Sequence, residues 1–440
     1  MSGFPQKKTS KSKVLLLPSK GAESEVSLSS VRERPLTRTT LLRKIYRVLL
    51  NKGRSYAAFT EKERSIVESL RDKKEIFDPM SGYGSLTRYC AQVGLQSYCL
   101  EYNLPQHLWQ LLCHPDHAER FIESIQVLLS RNKQWPVTKI RAAASDEWYT
   151  DESKRILLEL FSISSDAIKK HFKDEENLNY LNAALLLPFV GRLSCSVPGD
   201  IVTHVKKGGI CVYVDWHTDL ELYLRALMRY LENIRQVSKS TAHTLIHGDA
   251  RTYKFPKKRF GVMLTSPPYP NHRDFISMFA PEHAFLDILR MPGSITSRRA
   301  SEHIIGSNFV SERLERVPST NAAKKFLKAI TELKRNETAI RHDRQYYIPY
   351  FEHYFADLEE AYTNIAPAMK QKFEGYIIVV NNTHRNLLVP VSDTIMEIWK
   401  SLGFNASIFA TTESFHVGTK NPRARGLRAR HTEYVIKVWR

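Results

Sequence analysis

Glu75-Ile-Phe-Asp-Pro-Met-Ser-Gly-Tyr-Gly84 is the stretch on which the fold turns. Glu75–Asp78 reads as a short strand, and Pro79 stops it, because proline has no N–H to give to a ladder. Gly82 and Gly84 let the chain turn tightly and let a ligand approach the backbone. Ser85 to Val93 then carries helical periodicity. Strand, glycine turn and helix in that order form the opening unit of a Rossmann-like nucleotide site, with the helix N-terminus offering unpaired N–H groups. Ser97-Tyr-Cys-Leu-Glu101 follows as a second strand ending in a carboxylate. An acid about twenty residues past such a turn suits the two hydroxyls of a ribose.

A second stretch supplies the chemistry. Phe260-Gly-Val-Met-Leu264 is an apolar run that reads as a buried strand, continuing through Thr265 into Ser266-Pro267-Pro268-Tyr269. Two prolines make a rigid corner whose carbonyls stay able to accept. A serine hydroxyl and a prolyl carbonyl together match the two hydrogens of an amino group. The Tyr269 ring offers a face on which a nucleobase drawn out of its helix can stack.

Asp78-Pro-Met-Ser-Gly-Tyr-Gly84 resembles the Asp-Pro-Phe-x-Gly-x-Gly cofactor motif of the amino-group DNA methyltransferases, and Thr265-Ser-Pro-Pro-Tyr-Pro-Asn271 resembles their catalytic motif. The resemblance extends to His247-Gly-Asp-Ala-Arg251 and to Gly375–Asn382, and spans residues 55–440 with gaps. Met80 departs from the family's phenylalanine, and Tyr83 is bulky between the two glycines. A leading serine is the form typical of the cytosine-N4 branch, whereas adenine enzymes more often carry Asp or Asn. The resemblance implies a seven-stranded α/β sheet and S-adenosylmethionine as cofactor. Asp78, Pro79, Met80, Gly82, Gly84, Glu101, Asp249 and Thr265 would hold the cofactor, with Asp249 on the adenine amine. Ser266, Pro267, Pro268 and Tyr269 would be catalytic. The implied reaction is methyl transfer to the 4-amino group of a flipped cytosine in double-stranded DNA, within a restriction-modification or related system that can include a cognate restriction endonuclease. An adenine-N6 methyltransferase, an RNA methyltransferase and a non-catalytic nucleic-acid-binding protein on the same fold stand as alternatives. An NAD-type oxidoreductase is disfavoured because nothing supplies an acid for hydride transfer.

Composition agrees with a nucleic-acid partner. The 440 residues carry 65 Lys+Arg against 46 Asp+Glu, a net charge of +19, and such an excess favours a polyanion. Five cysteines at 90, 99, 113, 195 and 211 show neither zinc spacing nor a disulfide pattern, so no metal is expected. None follows a proline, which excludes the Pro-Cys nucleophile of cytosine-C5 methyltransferases. Reduced cysteines, no signal core and no apolar run of membrane-spanning length point to a cytoplasmic protein.

Along the chain, residues 1–38 read as a basic, disordered arm and 39–104 as N-terminal helices with the cofactor half of the sheet. Residues 105–241 read as a mainly helical insertion, in which Gly209–Trp216 could be a strand. Residues 242–287 form the catalytic half, and 351–440 complete the sheet with strands at Tyr376–Asn381, Ala406–Phe409 and Glu433–Trp439 and a helix from Leu387 to Phe404. Residues 288–350 form a basic region in which Arg298, Arg299, Arg341 and Arg344 are candidates for phosphate or base-edge contacts. A second basic loop runs from Lys420 to Arg430. His247 is expected to be structural rather than a general base.

Overall fold

The computed structural model describes residues 61–440 apart from 71, 74, 136–147, 192, 195, 199–202, 206–215, 238–242, 271–275, 277–278, 292–303, 308–316, 334–336, 386 and 417–428. The N-terminal arm, Gly209–Asp215, Arg298, Arg299 and most of the second basic loop therefore lie outside the described residues. Trp216, the end of the strand candidate, opens a helix instead.

Seven strands form the main sheet among the described residues. They are β1 (Glu75–Asp78), β2 (Gln96–Glu101), β3 (His243–His247), β4 (Phe260–Thr265), β5 (Met369–Val380), β6 (Asn405–His416) and β7 (Ala429–Trp439). Their spatial order is β6-β7-β5-β4-β1-β2-β3. The pairs β1–β2, β2–β3, β1–β4 and β4–β5 are parallel, while β7 runs antiparallel to both β5 and β6. The chain therefore builds outward from β1 through β2 to β3, then returns to the other side of β1 with β4. That reversal makes the gap between the carboxyl ends of β1 and β4 a switch point, where open α/β sheets bind ligands.

Side-chain alternation explains the layers. Phe77, Met263, Ile377, Val379, Ile436 and Val438 face one side, under α9 (Asn321–Glu332), α10 (Ile348–Ile365) and α11 (Val391–Ser401). Ile76, Val262, Leu264, Tyr376, Ile378 and Val435 face the other, under α1 (Glu61–Ser69) and α2 (Ser85–Val93). This period of two on strands buried from both sides gives an α/β/α sandwich. Between β2 and β3 run α3 (Leu104–Leu112), α4 (Ala118–Ser130), α5 (Asp151–His171), α6 (Leu178–Val190) and α7 (Trp216–Val237). With α8 (Ala280–Ile288) they bury a separate aromatic and aliphatic core that includes Trp109, Phe121, Phe189 and Tyr223.

The connection from β3 to β4, residues 248–259, contains no helix. Rings fill the space: Phe255 sits edge-on to Phe77 at 5.3 Å, and Asn364 of α10 donates to the carbonyls of Ala250 and Tyr253 at 2.9 Å each.

Two expectations are corrected. The helix expected from Leu387 to Phe404 spans only Val391–Ser401, and Leu387–Leu388 pairs with Thr383–His384 in a small hairpin. Pro390 holds the preceding chain out of the helical region, so the helix can begin only after it. The last three sheet strands are longer than their apolar cores, because ladder pairing continues into polar residues such as Thr411 and Thr432.

Candidate active site

The glycine turn is built from its own backbone and from α3. The N–H and hydroxyl of Ser81 both donate to the Leu100 carbonyl, at 3.0 and 3.1 Å, tying the turn to β2. Gly82 and Gly84 have φ of +54° and +67°, which glycine adopts without strain. Gly84 is also the residue that starts α2. Gln110 lies against the turn, its Nε2 donating to Ser81 Oγ at 2.8 Å and to the Gly82 carbonyl at 2.7 Å. A Cβ at position 84 would stand 2.7 Å from Gln110 Cγ, so side chain and backbone specify each other here.

Two buried carboxylates flank this turn. Glu101, at the end of β2, accepts from Gly82 N–H at 2.6 Å and from Asn103 N–H at 2.8 Å. Burial pushes its pKa up to about 8; the Asn103 and Gly82 N–H groups act against that, while nearby Asp78 adds to it. Asp78, at the end of β1, accepts from Thr265 Oγ1 at 2.7 Å and from Met80 N–H at 3.3 Å. Burial raises it to about 7, against the pull of Thr265 and Met80. Displaced acids of this kind are found at working sites and in structural networks alike.

The Thr265–Asp78 bond joins the glycine turn to the prolyl corner across the switch point. In the corner, Ser266 Oγ and Tyr269 OH lie 2.7 Å apart, folding the tyrosine back over its own turn. Tyr354 of α10 donates to the Pro268 carbonyl at 3.0 Å, fixing the corner from beneath. Asp78, Pro79, Met80, Gly82, Gly84, Glu101 and Thr265 are thus gathered with Ser266, Pro267, Pro268 and Tyr269 at the carboxyl ends of three neighbouring strands.

Asp249 sits in the turn after β3, with a different partner from the one the resemblance implies. Arg251 reaches both of its oxygens, through Nε at 3.1 Å to each and through a terminal nitrogen at 2.6 Å, and Arg251 N–H adds a bond at 2.9 Å. The same guanidinium bonds the buried Asp357 of α10 at 2.8 Å. Burial opposes the guanidinium charge, and the two carboxylates outweigh it. An ionised carboxylate has about four acceptor positions, and Arg251 brings three N–H groups to them at Asp249, the Nε–H shared between both oxygens. An adenine amine would share Asp249 with Arg251 there.

Polar residues beneath the site were not singled out from sequence. Asn103 Nδ2 donates to Gln106 Oε1 at 3.0 Å, and His283 Nε2 bonds Asn103 Oδ1 at 3.0 Å. His107 and His283 are pushed down to about 3 by burial and then by His247, so both are neutral near pH 7. His247 donates through Nε2 to the Tyr102 carbonyl at 2.9 Å. The signal lay in α3, where Gln106 and Gln110 interrupt an apolar helix at a four-residue spacing, the mark of polar groups sharing one face.

Of the basic candidates described, Arg341 lies in the short helix Glu337–His342 and Arg344 in the π-turn that follows it; both are exposed. No protein-family model matches the sequence, and no curated protein matches it. Among the described residues no group of His, Cys, Asp and Glu could hold a metal ion, and no helix is long and apolar enough to cross a membrane.

Proposed function

We infer that the chain is an S-adenosylmethionine-dependent DNA methyltransferase acting on the exocyclic 4-amino group of a cytosine turned out of the duplex. The observation that carries the reading is the 2.7 Å bond from Thr265 Oγ1 to Asp78 Oδ1, which holds the glycine turn and the Ser-Pro-Pro-Tyr corner together at the switch point. A donor held by one and an acceptor held by the other would meet there.

The residues fit the cofactor. Glu101 receives the backbone N–H groups of Gly82, Asn103 and Tyr102 and would turn its remaining acceptor capacity to ribose hydroxyls. Gly82 and Gly84 admit close backbone approach, and the start of α2 presents N–H groups beside them. S-adenosylmethionine supplies an electrophilic methyl group on a sulfonium centre.

The chain's own residues prepare the amine. The Tyr269 ring takes the base by stacking, worth about 1–3 kcal/mol per base. Among the described residues no donor reaches the Pro267 carbonyl, which with Ser266 Oγ accepts from the 4-amino group. Two acceptors on the amine favour a pyramidal nitrogen with an exposed lone pair, so rate comes from orientation and charge placement rather than a covalent base adduct, and the proton that the methylated nitrogen sheds would leave to solvent. His247 donates its Nε2 proton to the Tyr102 carbonyl, which leaves its lone pair on Nδ1.

Incubation of duplex DNA with the protein and S-adenosylmethionine, followed by nucleoside mass spectrometry, should yield N4-methylcytosine, and Tyr269→Ala should lower the rate at least tenfold. N6-methyladenine as the product would reassign the base; unmodified DNA from a chain that binds duplex but no cofactor would refute the enzyme.

A further inference from the structure

The carboxyl edge of the sheet carries a second structured feature beside the corner. The segment Asp343–Tyr347 forms a π-turn between the helix Glu337–His342 and α10. Such turns insert one residue into a helix and occur often at functional sites. Across from it stands the hairpin that follows β5, in which Thr383–His384 pairs with Leu387–Leu388 and Arg385 adopts a φ of +55° at the tip.

The two pieces are locked together. Asp343 is buried and accepts from Arg385 at 3.2 Å, with His384 Nε2 4.0 Å away. The His384 ring lies 4.2 Å from that of Tyr347, and the Arg385 guanidinium stands 5.6 Å over the same tyrosine. A non-glycine residue in the left-handed region is costly, and Asp343 holds Arg385 there. The result is a fixed lip with Arg341, Arg344 and Arg385 exposed along it. Among the described residues neither Arg341 nor Arg344 has an acidic partner, and the one acid at Arg385 is itself buried.

The lip also connects to the corner. Tyr346 lies nearly parallel to Tyr350 at 6.2 Å, and Tyr354, one turn further along α10, bonds the Pro268 carbonyl. Ten residues of helix separate Arg344 from Tyr354, about 15 Å of rise. That distance corresponds to roughly four base-pair steps of duplex.

We propose that this lip grips the phosphate backbone of duplex DNA a few nucleotides from the base presented to the prolyl corner, with Arg344 and Arg385 each neutralising one phosphate and Arg341 flanking them. Buried Asp343 acts as the positioning residue for Arg385. The proposal rests on the nucleic-acid part of the functional reading above and goes beyond it in assigning the surface and its chemistry.

The test is fluorescence anisotropy of a labelled 20-base-pair duplex with the full chain across a salt series, because each phosphate contact contributes about 0.9 to the slope of log affinity against log salt. Arg344→Ala and Arg385→Ala should each lower the slope by about that amount and the double variant by about twice as much, with S-adenosylmethionine binding by calorimetry unchanged. Wild-type slopes in both variants overturn the lip, and so does tighter binding of a single-stranded RNA of the same sequence. A wild-type chain that takes no S-adenosylmethionine yet shows these slope changes would sink the methyltransferase reading and leave the lip standing.

Discussion

Replacing Asp78 by asparagine separates what the carboxylate costs the fold from what it does for the site. Asparagine has nearly the same shape, and its Oδ1 can still accept from Thr265 and Met80. The unfolded carboxyl releases its proton near 3.8 and the folded one near 7. Between those values the native state keeps a proton that the unfolded chain has lost, so stability falls as pH rises. The slope is about 1.4 kcal/mol per pH unit, or roughly 4 kcal/mol over the whole window. This stability is fully present below pH 3.8 and gone once pH has passed through 7. Asp78→Asn should therefore be more stable than the wild type at pH 8, by an amount approaching that figure, and level with it at pH 4. Urea unfolding at pH 4, 6 and 8 measures the difference; Glu101→Gln resolves the overlapping window of its neighbour, which runs from 4.5 to about 8. An asparagine variant weaker than wild type by the same margin at every pH would refute the reasoning, because the carboxylate would then be stabilising. Cofactor affinity measured on the same samples should fall, the usual exchange between stability and function at a working site.

Arg251→Met should cost about 3–5 kcal/mol in chemical denaturation, since it removes the charge partner of the buried Asp357 and leaves Asp249 without its fork. Gly84→Ala forces a left-handed alanine against Gln110, a penalty of about 1–2 kcal/mol from the backbone alone; Gly84→Ala with Gln110→Ala should recover the steric part, read as partial return of cofactor affinity in calorimetry. Tyr354→Phe removes the bond to the Pro268 carbonyl and should cost about 1 kcal/mol in stability while lowering kcat more than it raises KM for DNA.

Much of the fold could be read from residues because the physics there is local. Ile76 and Phe77 alternate between two buried faces, Gly82 and Gly84 announce positive φ, and Ser85–Val93 keeps its helical period from end to end. Less could be read where local and distant terms compete. Within α5, Ser164 finds its buried partner in Asn182 of α6, 18 residues further on. Asp249 also carries Arg251, and nothing nearby in the sequence shows that this arginine is braced by Asp357, 106 residues further on. The corner could be read as a set of acceptors, whereas the donor Tyr354 beneath Pro268 could not, since its distance along the chain is 86 residues.

Gln110 gives the five-helix block between β2 and β3 a bearing on how the molecule can be trimmed. It is the block's first helix that braces the Ser81–Gly82 backbone, and α3 also brings Gln106 and His107 into the polar floor. The block is therefore not an accessory that could be excised and its ends rejoined to give a minimal version. A shortened chain would have to keep α3 or redesign the floor beneath the glycines.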